Sequence, residues 1–392
     1  MTSFGRALLD RWPLDPAITY LNHGTVGVVP RRVLAVQDAI RAEMERQPAP
    51  FLMRDATHLE GRAISARPRM RVAADELGAN LGARGDDLVW VDNATAGVNA
   101  VLRSLEWKAG DEVLVTDHGY GAVALAARGI TRTFGAVVRE VALPDPANEA
   151  GPIVDAIVAA VGPRTRVAIV DHITSSTALM LPIAELVARC RARGAAALVD
   201  GAHAPGALPL DLRAVDADWY TGNLHKWALA PRACGILWAA PGRQPGLHPP
   251  VLSWKLDQGF THEFDWVGTR DPSPWLAAPE GFRMIADLGA DAMRAYNHAL
   301  AWSGAHALAK RLGSRFDVAE SMVGCMATLP LPGTMGSSRE DATRLRDALW
   351  FEHRIEVPVM SFKGRLWLRL AAQVYNDEAD LAKLADALVA LG

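Results

Sequence analysis

The sequence has few of the residues that mark several protein classes. Its three cysteines, Cys190, Cys234 and Cys325, lie far apart in the 392-residue chain and form no CxxC pair. This spacing argues against a metal site and against a disulfide framework, and it favours a reducing cytoplasm. The chain also has no run of uncharged apolar residues long enough to span a bilayer, so we predict no membrane contact.

An excess of charge of one sign is also missing. Lys and Arg number 41 against 44 Asp and Glu, so we expect no interaction with nucleic acid. The N-terminal stretch carries Asp10 and Asp15 and has no continuous apolar core, which predicts that it is not a secretory signal. No GxGxxG follows a predicted strand, which argues against a dinucleotide site. A half-hydrophobic chain of 392 residues is typical of a two-domain globular enzyme.

From residue 87 onward, short apolar segments alternate with helical patterns. Strands are predicted over 88–91, 112–116, 136–143, 167–170, 196–199, 219–221 and 235–239, and helices over 94–105, 121–130, 152–161 and 182–193. Continuous apolar strands separated by helices form a mostly parallel sheet covered by helices on both faces. We therefore predict an α/β fold that binds its ligand at the C-terminal ends of the strands.

Beyond residue 240 the pattern changes. A Pro/Gly-rich segment is followed by predicted helices from Pro279 to Leu312, strands near 322–329 and 355–360, and a final helix. This mixture indicates a smaller α+β lobe. We therefore predict a large domain over residues 21–274 and a small domain formed by residues 1–20 and 275–392.

A lysine in an apolar, aromatic setting is the first candidate for chemistry. The stretch DADWYTGNLHKW ends in Lys226 and Trp227, and a partly buried lysine loses its charge readily and becomes a nucleophile. Upstream, the strand over 196–199 delivers Asp200 and His203 to its C-terminal tip. Each feature alone also fits an ordinary loop or turn. An acidic residue, Asp200, followed later in the chain by Lys226 predicts a pyridoxal phosphate site. In such a site the lysine forms a Schiff base and the carboxylate keeps the pyridine nitrogen protonated.

Three further strand ends carry polar residues. Residues 92–97, DNATAG, lead into a helix, where free amides and Thr95 could cradle a phosphate or where Asn93 or Thr95 could simply cap the helix. Residues 117–120, DHGY, offer a ring that could lie against a planar cofactor. Residues 171–176, DHITSS, offer hydroxyls that could bind a ring oxygen or a substrate.

Two segments outside the predicted sheet are also candidates. The glycine-bearing loop YLNHGTVG, residues 20–27, either approaches a ligand closely or is a flexible connector. In RLWLRL, Arg365, Trp367 and Arg369 share one strand face. One of these arginines could bind a carboxylate through two hydrogen bonds, or both could be solvated edge residues.

Together these motifs resemble the class V aminotransferase family of pyridoxal phosphate enzymes, and most closely its isopenicillin N epimerase-like branch. The resemblance covers nearly the whole chain, through YLNHG, DNATAGVN, DHGYGA, DHITSSTALMLPI, LVDGAHAPG, GNLHKW, GTRD and LRLAAQVYN in the family order. It implies fold type I, the aspartate aminotransferase-like fold. It also implies a homodimer with active sites at the subunit interface and an amino acid as substrate.

The resemblance implies roles for individual residues. Lys226 would form the Schiff base, Asp200 would bind the pyridine nitrogen, and His203, with Ser175 as a second candidate, would lie near the ring hydroxyl. The phosphate would be held by Ala94, Thr95, Asn223 and His225, and by Thr269 from the other subunit. His118 matches the stacking position, with Tyr120 as a competitor. Arg369 would bind the substrate carboxylate, and Asn22, His23 and Arg54 would complete the substrate pocket.

The reaction itself stays open among related outcomes. Desulfurases of this family carry a nucleophilic cysteine shortly before the carboxylate-binding arginine, and residues 352–368 contain none, which argues against desulfuration. With Lys226 as the base for the Cα proton, the outcome is epimerisation, transamination or loss of a β-substituent; we favour the first two. A non-catalytic cofactor-binding protein should lack Lys226 or Asp200, and both are present.

Overall fold

The structure is a computed structural model that describes residues 4–53, 58–59, 62–63 and 67–392, with the backbone alone at 58–59 and 62–63. Its strands are β1 (Thr19–Tyr20), β2 (His58–Leu59), β3 (Arg62–Ala63), β4 (Leu88–Val91), β5 (Glu112–Thr116), β6 (Val137–Val141), β7 (Thr165–Asp171), β8 (Ala196–Asp200), β9 (Trp219–Asn223), β10 (Gly235–Ala239), β11 (Ala327–Pro330), β12 (Ile355–Glu356), β13 (Val359–Phe362) and β14 (Arg365–Leu370). Its helices are α1 (His23–Val26), α2 (Arg31–Arg46), α3 (Pro48–Met53), α4 (Arg69–Asn80), α5 (Ala94–Ser104), α6 (Gly121–Phe134), α7 (Ala150–Ala160), α8 (Ile183–Ala192), α9 (Leu212–Val215), α10 (Phe260–Asp265), α11 (Ser273–Leu288), α12 (Ala290–Leu312), α13 (Arg339–Phe351) and α14 (Glu378–Leu391).

The central sheet has seven strands in the order β4-β10-β9-β8-β7-β5-β6. Strand β10 is antiparallel to both neighbours, and the other pairs are parallel. Successive side chains point to opposite faces, and both faces are buried: Val113 and Val115 of β5 pack in one apolar cluster, whereas Leu114 packs in another. The predicted mostly parallel sheet is therefore confirmed.

A second sheet, β11-β14-β13, is antiparallel and belongs to the smaller C-terminal domain. Leu366, Leu368 and Leu370 of β14 pack with residues of α12, α13 and α14 in one apolar cluster. The alternate side chains of β14, including Arg369, therefore point to the opposite face. Strand β1 pairs in parallel with β12, which joins the N-terminal segment to this domain. The boundary after residue 274 stays a prediction.

One helix begins earlier than the sequence predicts. Helix α11 starts at Ser273 and contains Pro279, the residue predicted to start it. It packs against α2 and α4, and Gly281 lies so close to the Ala228 carbonyl oxygen that a Cβ there would overlap it. Pro279 therefore lies two residues before this close contact, inside the helix and not at its start. In the part of the chain that the structure covers, no helix is long and apolar enough to cross a membrane.

Candidate active site

A cavity of about 560 Å³ lies where β7, β8 and β9 end and α5 begins. Most of the residues predicted from the sequence line it together: Ala94, Thr95, Tyr120, Ser175, Asp200, His203, Asn223, His225 and Lys226. The C-terminal ends of parallel strands meet at one edge of a sheet, which is where ligands bind in this architecture. The structure therefore brings segments separated by more than a hundred residues into one site.

The Lys226 amine has the properties of a nucleophile. Its Nζ lies 3.2 Å from His203 Nε2, and the neighbouring Trp227 is buried. Burial, and then the charge of Arg369, lower the pKa of Lys226 to about 8, while Asp200 acts in the opposite direction. A lysine with this pKa has a useful neutral fraction near neutral pH, as amine chemistry requires.

The N-terminal loop holds the backbone of Lys226. His23 Nε2 lies 3.1 Å from the Lys226 carbonyl oxygen and Nδ1 lies 2.9 Å from the Tyr375 hydroxyl. Burial lowers the pKa of His23 to about 4, so the ring is neutral; it donates through Nε2 and accepts from Tyr375. Gly27 has φ of 68°, and a Cβ there would overlap the His225 carbonyl oxygen. The loop therefore packs against the lysine segment, whereas the sequence predicted either a close approach to a ligand or a flexible connector.

This arrangement corrects two predicted substrate contacts. Both ring nitrogens of His23 are engaged by the protein, and Asn22 bonds Glu356 at 2.7 Å and the Thr25 hydroxyl. Neither residue lines the cavity, whereas Thr25 and Val26 do. Arg54, the third predicted contact, lies outside the described residues.

Asp200 has a second carboxyl group beside it. Asp171 and Asp200 occupy the same register at the ends of β7 and β8, and both line the cavity. Burial raises the pKa of Asp200, although a hydrogen bond from the Ala202 amide at 3.0 Å opposes the shift. Burial and the charge of Asp200 raise the pKa of Asp171 well above its ordinary value. Two buried carboxyl groups this close favour one charge, and we assign it to Asp200, because Lys226 lowers the pKa of that carboxyl group.

The start of α5 offers donors to an anion. Asn93 caps the helix by accepting from the Ala96 amide at 2.9 Å, and Asn223 accepts from the Ala94 amide at 2.8 Å. Ala94 and Asn223 therefore position the helix start, while the Thr95 amide and hydroxyl donate to no residue that the structure describes. Helix α5 can approach β9 this closely because Gly97 faces Thr221, and a Cβ there would overlap the hydroxyl. An anion is stabilised at such a helix start.

His225 lies at the same end of the cavity. Its Nδ1 donates to the Cys234 carbonyl oxygen at 2.9 Å, so Nε2 is the nitrogen left for a ligand. Burial lowers the pKa of His225 to about 4 in the protein alone. A bound phosphate would supply the negative charge that favours protonation of this ring.

The structure separates the two predicted stacking residues. Tyr120 is 47% exposed and lines the lysine cavity. His118 is buried and lines a neighbouring cavity, with Nδ1 2.8 Å from Thr177 Oγ1 and its ring edge-on to Phe362 at 5.0 Å. The aromatic face available beside Lys226 is therefore that of Tyr120. His118, the other predicted stacking residue, faces the neighbouring cavity instead.

Arg369 is a buried cation beside the cavity. It is 5% exposed, and its guanidinium donates to the Ser175 carbonyl oxygen at 2.5 Å and to Thr25 Oγ1 at 2.7 Å. Within the described residues its Nε–H has no acceptor, and no carboxylate pairs with it. Burial lowers the pKa of Arg369 to about 10. A buried guanidinium with an open donor is suited to binding a carboxylate through two hydrogen bonds.

Several lining residues were not predicted from the sequence, among them Asp171, Thr25 and Arg232. Asp171 could have been found, because it ends β7 in the same way that Asp200 ends β8. Thr25 and the exposed Arg232 carry no local signal. Thr269 is exposed and does not line the cavity of its own chain, so its predicted contact with the phosphate of a second subunit stays a prediction.

This donor set fits pyridoxal phosphate. A buried carboxylate, a near-neutral amine, an aromatic ring and an anion cradle meet in one cavity, which is the arrangement that binds and activates this cofactor. Together with the parallel sheet and the smaller domain, it defines the class of pyridoxal phosphate-dependent enzymes of fold type I.

Comparison with known proteins gives the family. The model of the aminotransferase class-V family matches residues 35–333. Isopenicillin N epimerase of Streptomyces clavuligerus is 36% identical over 97% of this chain and 96% of its own. A probable L-cysteine desulfhydrase of Arabidopsis thaliana is 31% identical over 95% of this chain and 83% of its own. The chain belongs to the class V aminotransferase family, and its cofactor is pyridoxal 5′-phosphate.

A solved structure gives the same fold. A C-DES variant with glycine covalently linked to its pyridoxal phosphate cofactor has a TM-score of 0.79 and 21% identity, over 96% of this chain and 97% of its own. At this identity the likeness concerns the fold alone. It confirms the predicted fold type I architecture.

Proposed function

We propose that this enzyme removes the Cα proton of an amino acid with Lys226 as the base, and that epimerisation or transamination follows. The observation that carries the proposal is the cavity lined by both Lys226 and Asp200, with the buried cation Arg369 close enough for its charge to lower the pKa of Lys226. When bound, pyridoxal phosphate supplies a sink for the electron pair left at Cα. The relatives named isopenicillin N epimerase support chemistry at Cα.

Each residue has a part in the proposal. Arg369 binds the substrate carboxylate and thereby fixes the orientation of Cα. Asp200 would keep the pyridine nitrogen protonated, and Tyr120 offers an aromatic face for the ring. Thr95 and His225 would hold the phosphate, and Lys226 would move the Cα proton.

The cysteines argue against desulfuration. Cys190, Cys234 and Cys325 are all buried, and none of them lines the cavity. Burial raises the pKa of Cys190 to about 11 and also raises the pKa values of the Cys234 and Cys325 thiols. A persulfide-forming enzyme needs an accessible thiolate, so we expect no transfer of sulfur to this protein.

The test of reaction class is incubation of the holoenzyme with a panel of amino acids in heavy water. Deuterium at Cα with inversion indicates an epimerase, and keto acid formed only with an acceptor indicates an aminotransferase. Alanine formed from cysteine, with persulfide left on the protein, would overturn the proposal. If every amino acid of the panel retained its Cα proton, Lys226 would not be the base that removes it.

A carbon–sulfur β-lyase is the second candidate. The 31% identical relatives named L-cysteine desulfhydrase support it. Elimination also needs only one base at Cα, and Lys226, whose pKa is lowered to about 8, can serve as that base. Pyruvate and released thiol from cysteine derivatives in the same incubation would select this function.

The role of Lys226 has a direct chemical test. Borohydride reduction of the holoenzyme followed by peptide mapping should place the cofactor on Lys226. Lys255 serves as an internal control, because it is another lysine of the chain and lies outside the cavity. A cofactor label on any other lysine contradicts the assignment.

A homodimer and a cytoplasmic location are part of the proposal. The segment 251–256 exposes Trp254, which is 88% exposed, together with Val251 and Leu252. Lys255 in this segment borders the same surface cavity as Gly268, next to Thr269. A second copy seated on this surface would cover the apolar segment and bring Thr269 towards its neighbour. The free, buried cysteines are compatible with a reducing compartment.

A further inference from the structure

Trp227, which follows Lys226 in the sequence, forms a hydrogen bond with His203, and His203 in turn contacts the Lys226 amine. Its indole Nε1 lies 3.4 Å from His203 Nδ1, and His203 Nε2 lies 3.2 Å from Lys226 Nζ. Trp227 and His203 are both almost completely buried. The three side chains therefore form a chain of two hydrogen bonds that ends on the reactive amine.

The direction of these bonds follows from their chemistry. An indole nitrogen only donates, so His203 Nδ1 is an acceptor and carries no proton. A neutral imidazole then has its proton on Nε2, and that N–H points at Lys226 Nζ. An ammonium group has no lone pair and cannot accept this bond. The pattern is satisfied only when Lys226 is a neutral amine.

The tautomer is held by packing. Trp227 lies in an apolar cluster with Met326 and Ala371, and its ring centroid is 5.0 Å from that of His23. Gly24 packs tightly against the same cluster, because a Cβ there would overlap Met326 Sδ. The opposite tautomer of His203 would direct two N–H groups at each other in this buried place.

The other charged groups near the amine are accounted for. Asp200, from the end of β8, favours the ammonium, whereas Arg369, from β14, and burial favour the neutral amine. His225 precedes the lysine and is itself neutral, because burial lowers its pKa to about 4. None of these groups selects the direction of the bond from His203, which depends on the indole.

We propose that Trp227 is a positioning residue that acts through His203 to hold Lys226 as the neutral amine that captures pyridoxal phosphate. The inference rests on the proposed role of Lys226. Without the indole N–H, His203 can adopt either tautomer, and the one that presents a lone pair to Nζ stabilises the ammonium. The pH midpoint at which the amine becomes reactive should then rise.

The experiment measures how fast cofactor-free protein captures pyridoxal phosphate, from the absorbance change on mixing, across a pH series. We expect a midpoint near about 8 for the wild type, following the pKa of Lys226. We expect Trp227→Phe to raise the midpoint by about half to one unit, a three- to tenfold slower capture at neutral pH.

A matched control separates this effect from loss of packing. Trp275 is also buried and its Nε1 donates to the Val91 carbonyl oxygen at 3.2 Å, away from the lysine cavity. Trp275→Phe should leave the midpoint unchanged. If Trp227→Phe does not fold, benzothienylalanine at position 227 keeps the ring shape and removes only the N–H donor.

The outcomes are distinguishable. Capture on Lys226 with an unchanged midpoint in the Trp227 variants overturns this inference and leaves the proposed function intact. An equal rise in Trp275→Phe also overturns it, because the effect would then come from packing. Absence of any capture on Lys226 in the wild type would instead contradict the proposed function.

Discussion

Replacing Arg369 by methionine tests whether this residue binds substrate or supports the fold. Burial lowers its pKa from 12.5 to about 10. At about 1.36 kcal/mol per pKa unit, the folded state disfavours the charged form by about 3 kcal/mol at any pH below about 10. Methionine removes this cost and keeps an apolar side chain of similar length.

Two lost hydrogen bonds oppose that gain. Arg369 donates to the Ser175 carbonyl oxygen and to Thr25 Oγ1, and bonds from charged donors contribute about 1.5–3 kcal/mol each. Together they contribute about 3–6 kcal/mol, of which the relieved charge offsets about 3 kcal/mol. We therefore expect Arg369→Met to lower the free energy of unfolding of the cofactor-free protein by at most about 3 kcal/mol.

Substrate binding should respond much more strongly. Losing one partner of a buried, hydrogen-bonded charge pair costs about 2–5 kcal/mol, which is roughly a thirtyfold to several thousandfold weaker affinity. The assay is titration of the holoenzyme with amino acids, followed by the absorbance of the bound cofactor, together with urea unfolding of the cofactor-free protein. The colour of the holoenzyme should remain.

Arg71 provides the matched control. It is equally buried, but it donates to the Leu88 carbonyl oxygen at 2.8 Å and forms an ion pair with Asp265 at 2.7 Å. Arg71→Met removes this ion pair and should lower the free energy of unfolding, with no change in amino-acid affinity per folded molecule. Unchanged amino-acid affinity in Arg369→Met, or a stability loss equal to that of Arg71→Met, would refute the reasoning.

Three more predictions concern the fold and the assembly. Gly27→Ala should destabilise the protein by more than about 1 kcal/mol in urea unfolding and slow cofactor capture, whereas Gly110→Ala, also at positive φ but with open space around it, should cost only the backbone strain. Trp254→Ala should weaken dimerisation at least about thirtyfold in sedimentation experiments, as expected for an aromatic anchor, while Leu125→Ala should not; equal dimerisation of both variants would contradict the proposed interface. Burial lowers the pKa of His23 from 6.5 to about 4. The neutral ring therefore stabilises the folded state fully above pH 6.5, and this stabilisation is progressively lost as the pH falls towards 4. Between about pH 7 and about pH 5, the free energy of unfolding of His23→Gln should therefore fall by about 2 kcal/mol less than that of the wild type. An equal fall in both proteins would show that the ring is not held neutral.

The sequence predicted the parts of the site that depend on local pattern. Asp200 and Thr95 follow apolar strands, and a strand's period and its end are visible within a few residues. Parallel strands then bring these ends to one edge, so the lysine cavity could be inferred without any distance. The acid-then-lysine order pointed to the cofactor in the same way.

What was missed depends on contacts between distant segments. The glycines of the N-terminal loop predicted an approach to a ligand or a flexible connector, but the loop packs against Lys226, which lies 203 residues away from His23. Similarly, His118 and Tyr120 share one loop but line different cavities. Thr177 and Phe362 contact His118 and hold it in the neighbouring cavity. No local pattern specifies such partners, because each is set by the packing of the complete fold.

The contacts of Arg369 lead to a final prediction about substrate binding. The guanidinium extends from β14 of the smaller domain to Ser175, which follows β7, and to Thr25, in the loop that holds Lys226. Its Nε–H has no acceptor in the described part of the chain, so a carboxylate can bind through this group and an adjacent Nη–H.

Because a guanidinium has five donors, the carboxylate can join the existing acceptors without displacing both of them. Substrate should therefore tighten the connection between the N-terminal loop and β14. We expect slower amide hydrogen exchange in residues 21–27 when a non-reacting amino acid analogue binds the wild-type holoenzyme, and no such change in Arg369→Met. Equal exchange with and without the analogue in the wild type would show that the carboxylate binds elsewhere.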